Sequence, residues 1–270
     1  MDDHARLLGF HAIGEDVRSA SVPMAVFRRQ IDWLVRHRFQ ILTLAQWWRL
    51  VSAGERPGPR AVILSFDDGF RSVWRHAAPV LSDYGLSATL FVVTDYVGQT
   101  NAYDRGRGAA ELPLMDWDEL EALKRRGWDL QSHGRRHYRM VNLTRELLEE
   151  EAAGSKRLLE QRLGDPVDFF CYPYGAVDAQ AVDAVARAGY VGAVTCWEGA
   201  LPQETRGERF LLPRVMAERV MSPRQFAYCF TPSYRRLTRA WSRLRRGGRA
   251  ARGRGEEALT IAAVGAEGQP

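Results

Sequence analysis

The sequence predicts an α/β fold with a parallel sheet, either closed into a barrel or doubly wound, and three observations carry that prediction. Short apolar segments alternate with segments of helical periodicity at least five times along the 270 residues, the pattern of parallel strands joined by right-handed helical crossovers. One segment, RAVILSF at 60–66, reads as a continuous apolar run, as a parallel strand covered on both faces must. Four of the apolar segments end in reactive side chains, and parallel strands would gather such ends at one mouth.

In chain order, RLLGFH (6–11) reads as a buried strand ending in His11. Pro23 opens an amphipathic helix with Val26, Phe27, Ile31, Leu34 and Val35 at helical spacing. From Ile41 a strand edge runs into a short helix, and GERPGPR is a loop. RAVILSF is followed by a helix over 71–84, a strand over 88–94 and a Gly- and Arg-rich loop over 98–113. Asp116, with Glu119 three residues on, caps a helix over 116–126. A strand over 128–132, a long helix over 145–163, a strand over 167–172, a helix over 179–188 and a strand over 190–195 complete the alternation.

Composition narrows the function classes. Apolar residues make up 46% of the chain, enough for a full core, and no run approaches the ~20 needed to span a membrane. Residues 233–270 hold nine Arg and three Glu, a net of +6, so the formal +5 of the whole chain leaves the other 232 residues at −1. A nearly neutral body argues against nucleic acid as a partner, since phosphate binding needs a basic surface. Three cysteines cannot all pair, and the acidic start MDDHARLLGFHAIGEDV lacks a long apolar stretch. Together these predict a cytoplasmic protein.

The strand ends hold the chemistry. SFDDG places Asp67 and Asp68 side by side. Neighbours on a regular strand face opposite ways, so both reach one pocket only if the backbone breaks, which Gly69 permits. One carboxylate can then bind a metal while the other accepts a proton; a capped turn is the alternative. His133 and His137 follow the strand WDLQS. Their i,i+4 spacing suits ligands on one helical turn. Two imidazoles and a carboxylate leave coordination positions open, as catalytic metal sites do. In CYPYG a Pro-Tyr-Gly turn can fix a backbone N–H toward a developing oxyanion. Trp117, Tyr174 and Trp197 are candidates to stack on a bound ligand near the mouth, and equally candidates for the core.

SFDDG, SHGRRH and CYPYG, in this order, resemble the polysaccharide deacetylase family (carbohydrate esterase family 4, the NodB-homology domain), over roughly residues 7–230. The resemblance implies a distorted (β/α) barrel of about seven parallel strands, one divalent metal with zinc the first choice, no organic cofactor, and removal of an N-acetyl or similar acyl group from a sugar or glycan. It implies Asp67 as catalytic base, Asp68, His133 and His137 as metal ligands, and the Tyr174 N–H as oxyanion donor.

Two departures stand out. Usual members open the third motif with an arginine that orients the base, where this chain has Cys171. They also carry a late histidine as general acid, and no histidine follows His137 here. LGFHAIG and the LPR at 212–214 resemble the circularly permuted branch typified by biofilm poly-N-acetylglucosamine deacetylases, in which an early histidine takes the acid's place. By that resemblance His11 is the acid, and Arg214 is the candidate to orient Asp67. An amidase acting on a non-carbohydrate amide and an inactive carbohydrate-binding relative are the competing readings.

The expected catalytic domain spans 1–232, with a basic tail over 233–270. Tyr234, Leu237, Trp241 and Leu244 form one apolar helical stripe among six arginines. Such a helix either lies on an anionic membrane, at the inner face and near a lipid-linked sugar, or packs on the barrel. Beyond about Gly247 the sequence predicts disorder.

Overall fold

The computed structural model describes residues 5–14, 21–58, 60–199, 201, 209–217, 221–234 and 236–238. Strand β1 (Arg6–Phe10) is followed by two short strands, β2 (Ala12–Ile13) and β3 (Ser21–Val22), which pair in parallel with each other. Helix α1 (Met24–Arg36), β4 (Gln40–Leu42), α2 (Leu44–Ser52) and β5 (Ala61–Phe66) come next. The alternation continues with α3 (Ala78–Ser82), β6 (Thr89–Val92), α4 (Trp117–Arg125), β7 (Asp129–Ser132), α5 (Arg145–Glu149), α6 (Ser155–Leu163) and β8 (Phe169–Cys171). It ends with α7 (Ala179–Arg187), β9 (Gly192–Val194), β10 (Val215–Met216) and α8 (Pro223–Tyr228).

Seven strands run parallel in the order β10-β1-β5-β6-β7-β8-β9, and β4 pairs with the first half of β5 as an eighth. One stretch bridges the two ends of that row. Leu212 pairs with Val194 at the end of β9, and Val215 and Met216 pair with Leu8 and Gly9 of β1. This is the (β/α) barrel that the resemblance implied.

The period-two alternation of strand side chains sorts the barrel into an inside and an outside. Leu7, Ile63, Phe91, Phe169, Cys171 and Val194 share one cluster with Trp47 inside the ring. Leu8, Leu64, Phe66, Leu90, Val92 and Phe170 belong to the larger cluster under the helices. The inward residues are odd-numbered on β1, β5 and β8, and continuing that parity carries His11 and Asp67 inward at the strands' C-terminal ends.

The helices start where their caps dictate. Asp116 accepts from the Glu119 N–H while the Glu119 side chain accepts from the Asp116 N–H, and Thr43 with Gln46 repeats the device. The helices expected over 71–84 and 145–163 each contain a π-helical turn, at Val73–Ala77 and Glu150–Gly154. In the second, the widened turn directs Glu151, fully buried, toward the mouth.

At the chain's end, Tyr234 is buried in the main core cluster, whereas Leu237, three residues on, is 51% exposed. The two therefore do not share one face as a single stripe requires, and Tyr234 packs on the barrel. Trp241, Leu244 and the rest of the proposed tail lie outside the described residues.

Candidate metal and acyl-transfer site

The four strand ends do meet. Asp67 continues the inward parity of β5, and Asp68, which regular geometry would turn outward, adopts φ 70 and swings back to the same side. The break thus begins at Asp68 itself, one residue before Gly69. Asp68 Oδ1 lies 3.2 Å from His137 Nε2 and 3.7 Å from His133 Nε2. All three residues are buried, and Asp68 Oδ1 has no hydrogen-bond partner. Leaving a buried carboxylate oxygen unpaired is costly, and two imidazole nitrogens aimed at it are the complement a cation would use. Asp68, His133 and His137 accordingly form a group able to hold a metal ion, and the residues fit one.

The histidines are not on a helical turn. Residues 133–137 are an irregular loop with His137 at φ 61. The loop's N–H groups turn to an external acceptor in place of an i−4 carbonyl. The Glu151 carboxylate accepts from the Arg135 N–H at 2.9 Å and from the Arg136 N–H at 3.0 Å. His133 donates through Nδ1 to the Cys171 carbonyl at 2.8 Å, leaving Nε2 for the metal side. His137 Nδ1 lies 3.0 Å from the Tyr174 hydroxyl, which itself donates to Asp104 at 2.7 Å. That relay fixes the second imidazole in the same tautomer.

Asp67 is held on its other side by Arg214. The guanidinium makes two 2.6 Å bonds to the two carboxylate oxygens, and the arginine is completely buried. Burial alone would raise the Asp67 pKa, but the Arg214 charge, then that of His133, outweigh it and hold the carboxyl well below the usual range. Asp68 moves the opposite way: burial, the Asp67 charge and the Asp104 charge all raise it well above an ordinary carboxylic acid. Two adjacent carboxyls are thereby pushed apart in basicity. Burial lowers His133 to about 4 and lowers His137 well below its usual value, so both are neutral and competent as ligands at pH 7.

The position of Arg214 explains Cys171. Arg214 Nη2 passes 3.4 Å from Cys171 Sγ, in space a larger side chain on β8 would fill. It also passes over Gly9, where a Cβ would come within 2.9 Å of Arg214 Cδ. Two small inward residues on β1 and β8 thus admit an arginine delivered by the segment before β10.

His11, just past β1, has Nε2 3.9 Å from Asp67 Oδ2 with its side chain 31% exposed. It is more open than Asp67, Arg214 or the three ligand candidates, and burial lowers its pKa while Asp67 opposes that. Tyr174 sits at φ 58, and its turn is closed by the Gly175 N–H to Tyr172 O and the Ala176 N–H to Pro173 O, so the Tyr174 N–H takes no part in it. Gly175 is essential beside it: at φ 62, a Cβ there would lie 2.9 Å from Cys196 Cβ. Asp68, His137 and Tyr174 are three of the five non-glycine residues with positive φ among those described, concentrating backbone strain at the mouth.

The seven residues expected from sequence to act in catalysis or to bind metal are therefore in one place. The loop over 98–113 also reaches the site, which sequence reasoning missed. Its Tyr103 ring packs 4.3 Å from the His137 ring, and its Asp104 anchors the Tyr174 hydroxyl. The available signal was position alone, since the loop follows a barrel strand at its C-terminal end. Of the aromatic candidates, Tyr174 lies beside the ligands, whereas Trp117 packs under Arg162 and Trp197 lends its carbonyl to the Arg214 N–H.

Comparison with known proteins places this geometry. Residues 54–193 match the family profile for polysaccharide deacetylase. A Bacillus subtilis protein named "Putative polysaccharide deacetylase YxkH" is 25% identical over 73% of this chain and 66% of its own length. A poly-beta-1,6-N-acetyl-D-glucosamine N-deacetylase of Staphylococcus epidermidis is 24% identical over 75% of this chain and 70% of its own. Among solved structures, the Streptococcus pyogenes deacetylase PplD in complex with acetate superposes with a TM-score of 0.73 at 22% identity, covering 86% of this chain and 100% of that one, a likeness of fold. With the family profile matching more than half of its length, the chain belongs to the polysaccharide deacetylase family.

Proposed function

We propose that this chain is a metal-dependent hydrolase removing an N-acetyl group from a sugar or glycan, as the name of its S. epidermidis relative describes for that protein. One observation carries the reading: Asp68 Oδ1, buried and unpaired, faces two imidazoles directly beside an aspartate whose ionised form is locked by Arg214.

In this reading Asp68, His133 and His137 hold the divalent ion, zinc or another first-row metal. When bound, the ion supplies Lewis-acid chemistry, lowering the pKa of a water and polarising the acyl oxygen. Asp67 accepts the proton of the attacking water. Arg214 keeps Asp67 ionised and fixes the direction of its lone pairs. The Tyr174 N–H, held outward by its left-handed turn, donates to the oxyanion; one such donor is worth ~3–4 kcal/mol. His11 delivers a proton to the departing amine, which leaves poorly without one. Its distance from Asp67 allows the proton gained by the carboxylate to be returned on that side of the cluster.

The test is acetate release from β-1,6-linked N-acetylglucosamine oligomers by metal-loaded protein, with metal content measured alongside. Wild type should release acetate with one metal per chain, and His133→Ala should lose both. Full metal occupancy in His133→Ala would overturn the ligand assignment; a metal-loaded wild type inert on every acetylated sugar would overturn the substrate class.

A further inference from the structure

Five arginines lie on the loops following β6 and β7 around the mouth, and they divide into two kinds. Arg105 pairs with Glu111 at 3.0 Å, Arg135 with Asp95 at 3.0 Å, and Arg136 with Glu150 at 3.0 Å. Arg107 and Arg139 have no carboxylate partner among the described residues. Both instead sit over one aromatic ring: the Arg107 guanidinium lies 4.5 Å from the centroid of Tyr174 and that of Arg139 lies 5.6 Å from it. Arg107 is exposed and Arg139 half-buried. Three separate loops, after β6, β7 and β8, thus bring two cations and one ring together.

The ring is that of the residue whose hydroxyl contacts His137. The His137 and Tyr174 rings are 4.5 Å apart, so Arg107 stands no more than two such steps from a metal ligand. Its charge contributes to the depressed basicity of His137. Cation–π contact with tyrosine occupies the face of a guanidinium and leaves its edge N–H donors available. Two such edges beside an acyl-transfer centre carry a charge of +2, and a planar donor fork matches a phosphate better than any neutral sugar hydroxyl.

We propose that Arg107 and Arg139 form a subsite for a phosphate group carried by the acetylated sugar, next to the acyl group being removed. The inference rests on the deacetylase reading above and narrows its substrate class to a sugar phosphate ester. That ester comes from either a soluble glycosyl phosphate or a polyprenyl-linked one; both present the same group to the arginines.

Acetate release is compared for N-acetylglucosamine, N-acetylglucosamine 1-phosphate and polyprenyl-diphosphate-linked N-acetylglucosamine in detergent. Wild type, Arg107→Gln/Arg139→Gln and Arg107→Lys/Arg139→Lys are assayed at equal metal content. The readout is the ratio of kcat/KM for each phosphorylated substrate to that for the neutral one. Wild type should favour a phosphorylated substrate, the glutamine variant should lose that preference by about 10- to 100-fold, the worth of one ionic hydrogen bond, and the lysine variant should keep part of it. Whichever phosphorylated compound is preferred identifies the source. A ratio at or below one in wild type, or an equal ratio in wild type and the glutamine variant, overturns the subsite. If no compound releases acetate, the deacetylase reading fails instead. Titration with inorganic phosphate then decides the subsite: saturable binding lost in the glutamine variant supports it, and equal binding overturns it.

Discussion

Replacing Arg214 with Met is the most informative perturbation of the buried pair. Methionine keeps much of the stem that passes Gly9 while removing both 2.6 Å bonds to Asp67. Asp67 is only 2% exposed, so water cannot replace the lost partner. Stranding one member of a buried ion pair costs about 3–5 kcal/mol. For a chain of this size that corresponds to a drop of roughly 6–20 °C in Tm. The sign with pH is specific. In wild type the folded Asp67 pKa is depressed, so its contribution is present above the unfolded pKa of about 3.9 and is lost as pH falls through the folded value. Without Arg214, burial raises the folded pKa, and the variant regains stability as pH falls from 7 toward 4. The gap between the two proteins should therefore narrow on acidification, measured by urea unfolding at pH 7, 5.5 and 4 with unchanged m-values. A gap below 1 kcal/mol, or one constant across that range, would refute the argument that Arg214 compensates a desolvated carboxylate.

Three further outcomes follow from the same geometry. Tyr174→Phe and Asp104→Asn should each weaken metal affinity by about 10- to 100-fold, read by chelator competition, because each breaks the relay that fixes His137; unchanged affinity in both would show the relay to be idle. Zinc affinity should fall as pH is lowered, because burial and the neighbouring Asp67 and Asp104 charges favour the protonated form of Asp68, which competes with the ion; affinity independent of pH would count against Asp68 as a ligand. His11→Gln should keep metal yet lose about 10²–10⁴-fold on acetamides and far less on activated acetate esters, whose leaving groups need no proton; equal losses on both would remove His11 as the acid.

The barrel was legible because its signal is periodic, and Asp67, Asp68, His133, His137 and Tyr174 because each sits in a short motif at a strand's end; the acid role of His11 and the choice of Arg214 came only through the resemblance to the permuted branch. Alternation of apolar and helical segments marks β/α units, and parity on β5 sends Asp67 inward whatever the rest of the chain does. The His133–His137 loop was misread as a helical turn because spacing alone cannot show that Glu151, on a π-turn of a later helix, captures the loop's N–H groups. Asp104 and Tyr103 were invisible for a related reason. Their loop carries no periodic signal, and what matters is which ring and which hydroxyl the barrel brings beside it. Of the tail stripe only Tyr234 and Leu237 lie among the described residues, one buried and one exposed, a difference that spacing alone does not show.

The bridge over 212–216 has a consequence for synthesis. The residues that orient the proposed metal ligands are complete once Tyr174 has been made, whereas Arg214 arrives forty residues later, with the stretch that joins Val194 to β1. Until that stretch is made, Asp67 lacks its guanidinium clamp. Since the segment that seals the ring also delivers that clamp, completion of the barrel and the locking of Asp67 are acquired in a single docking event.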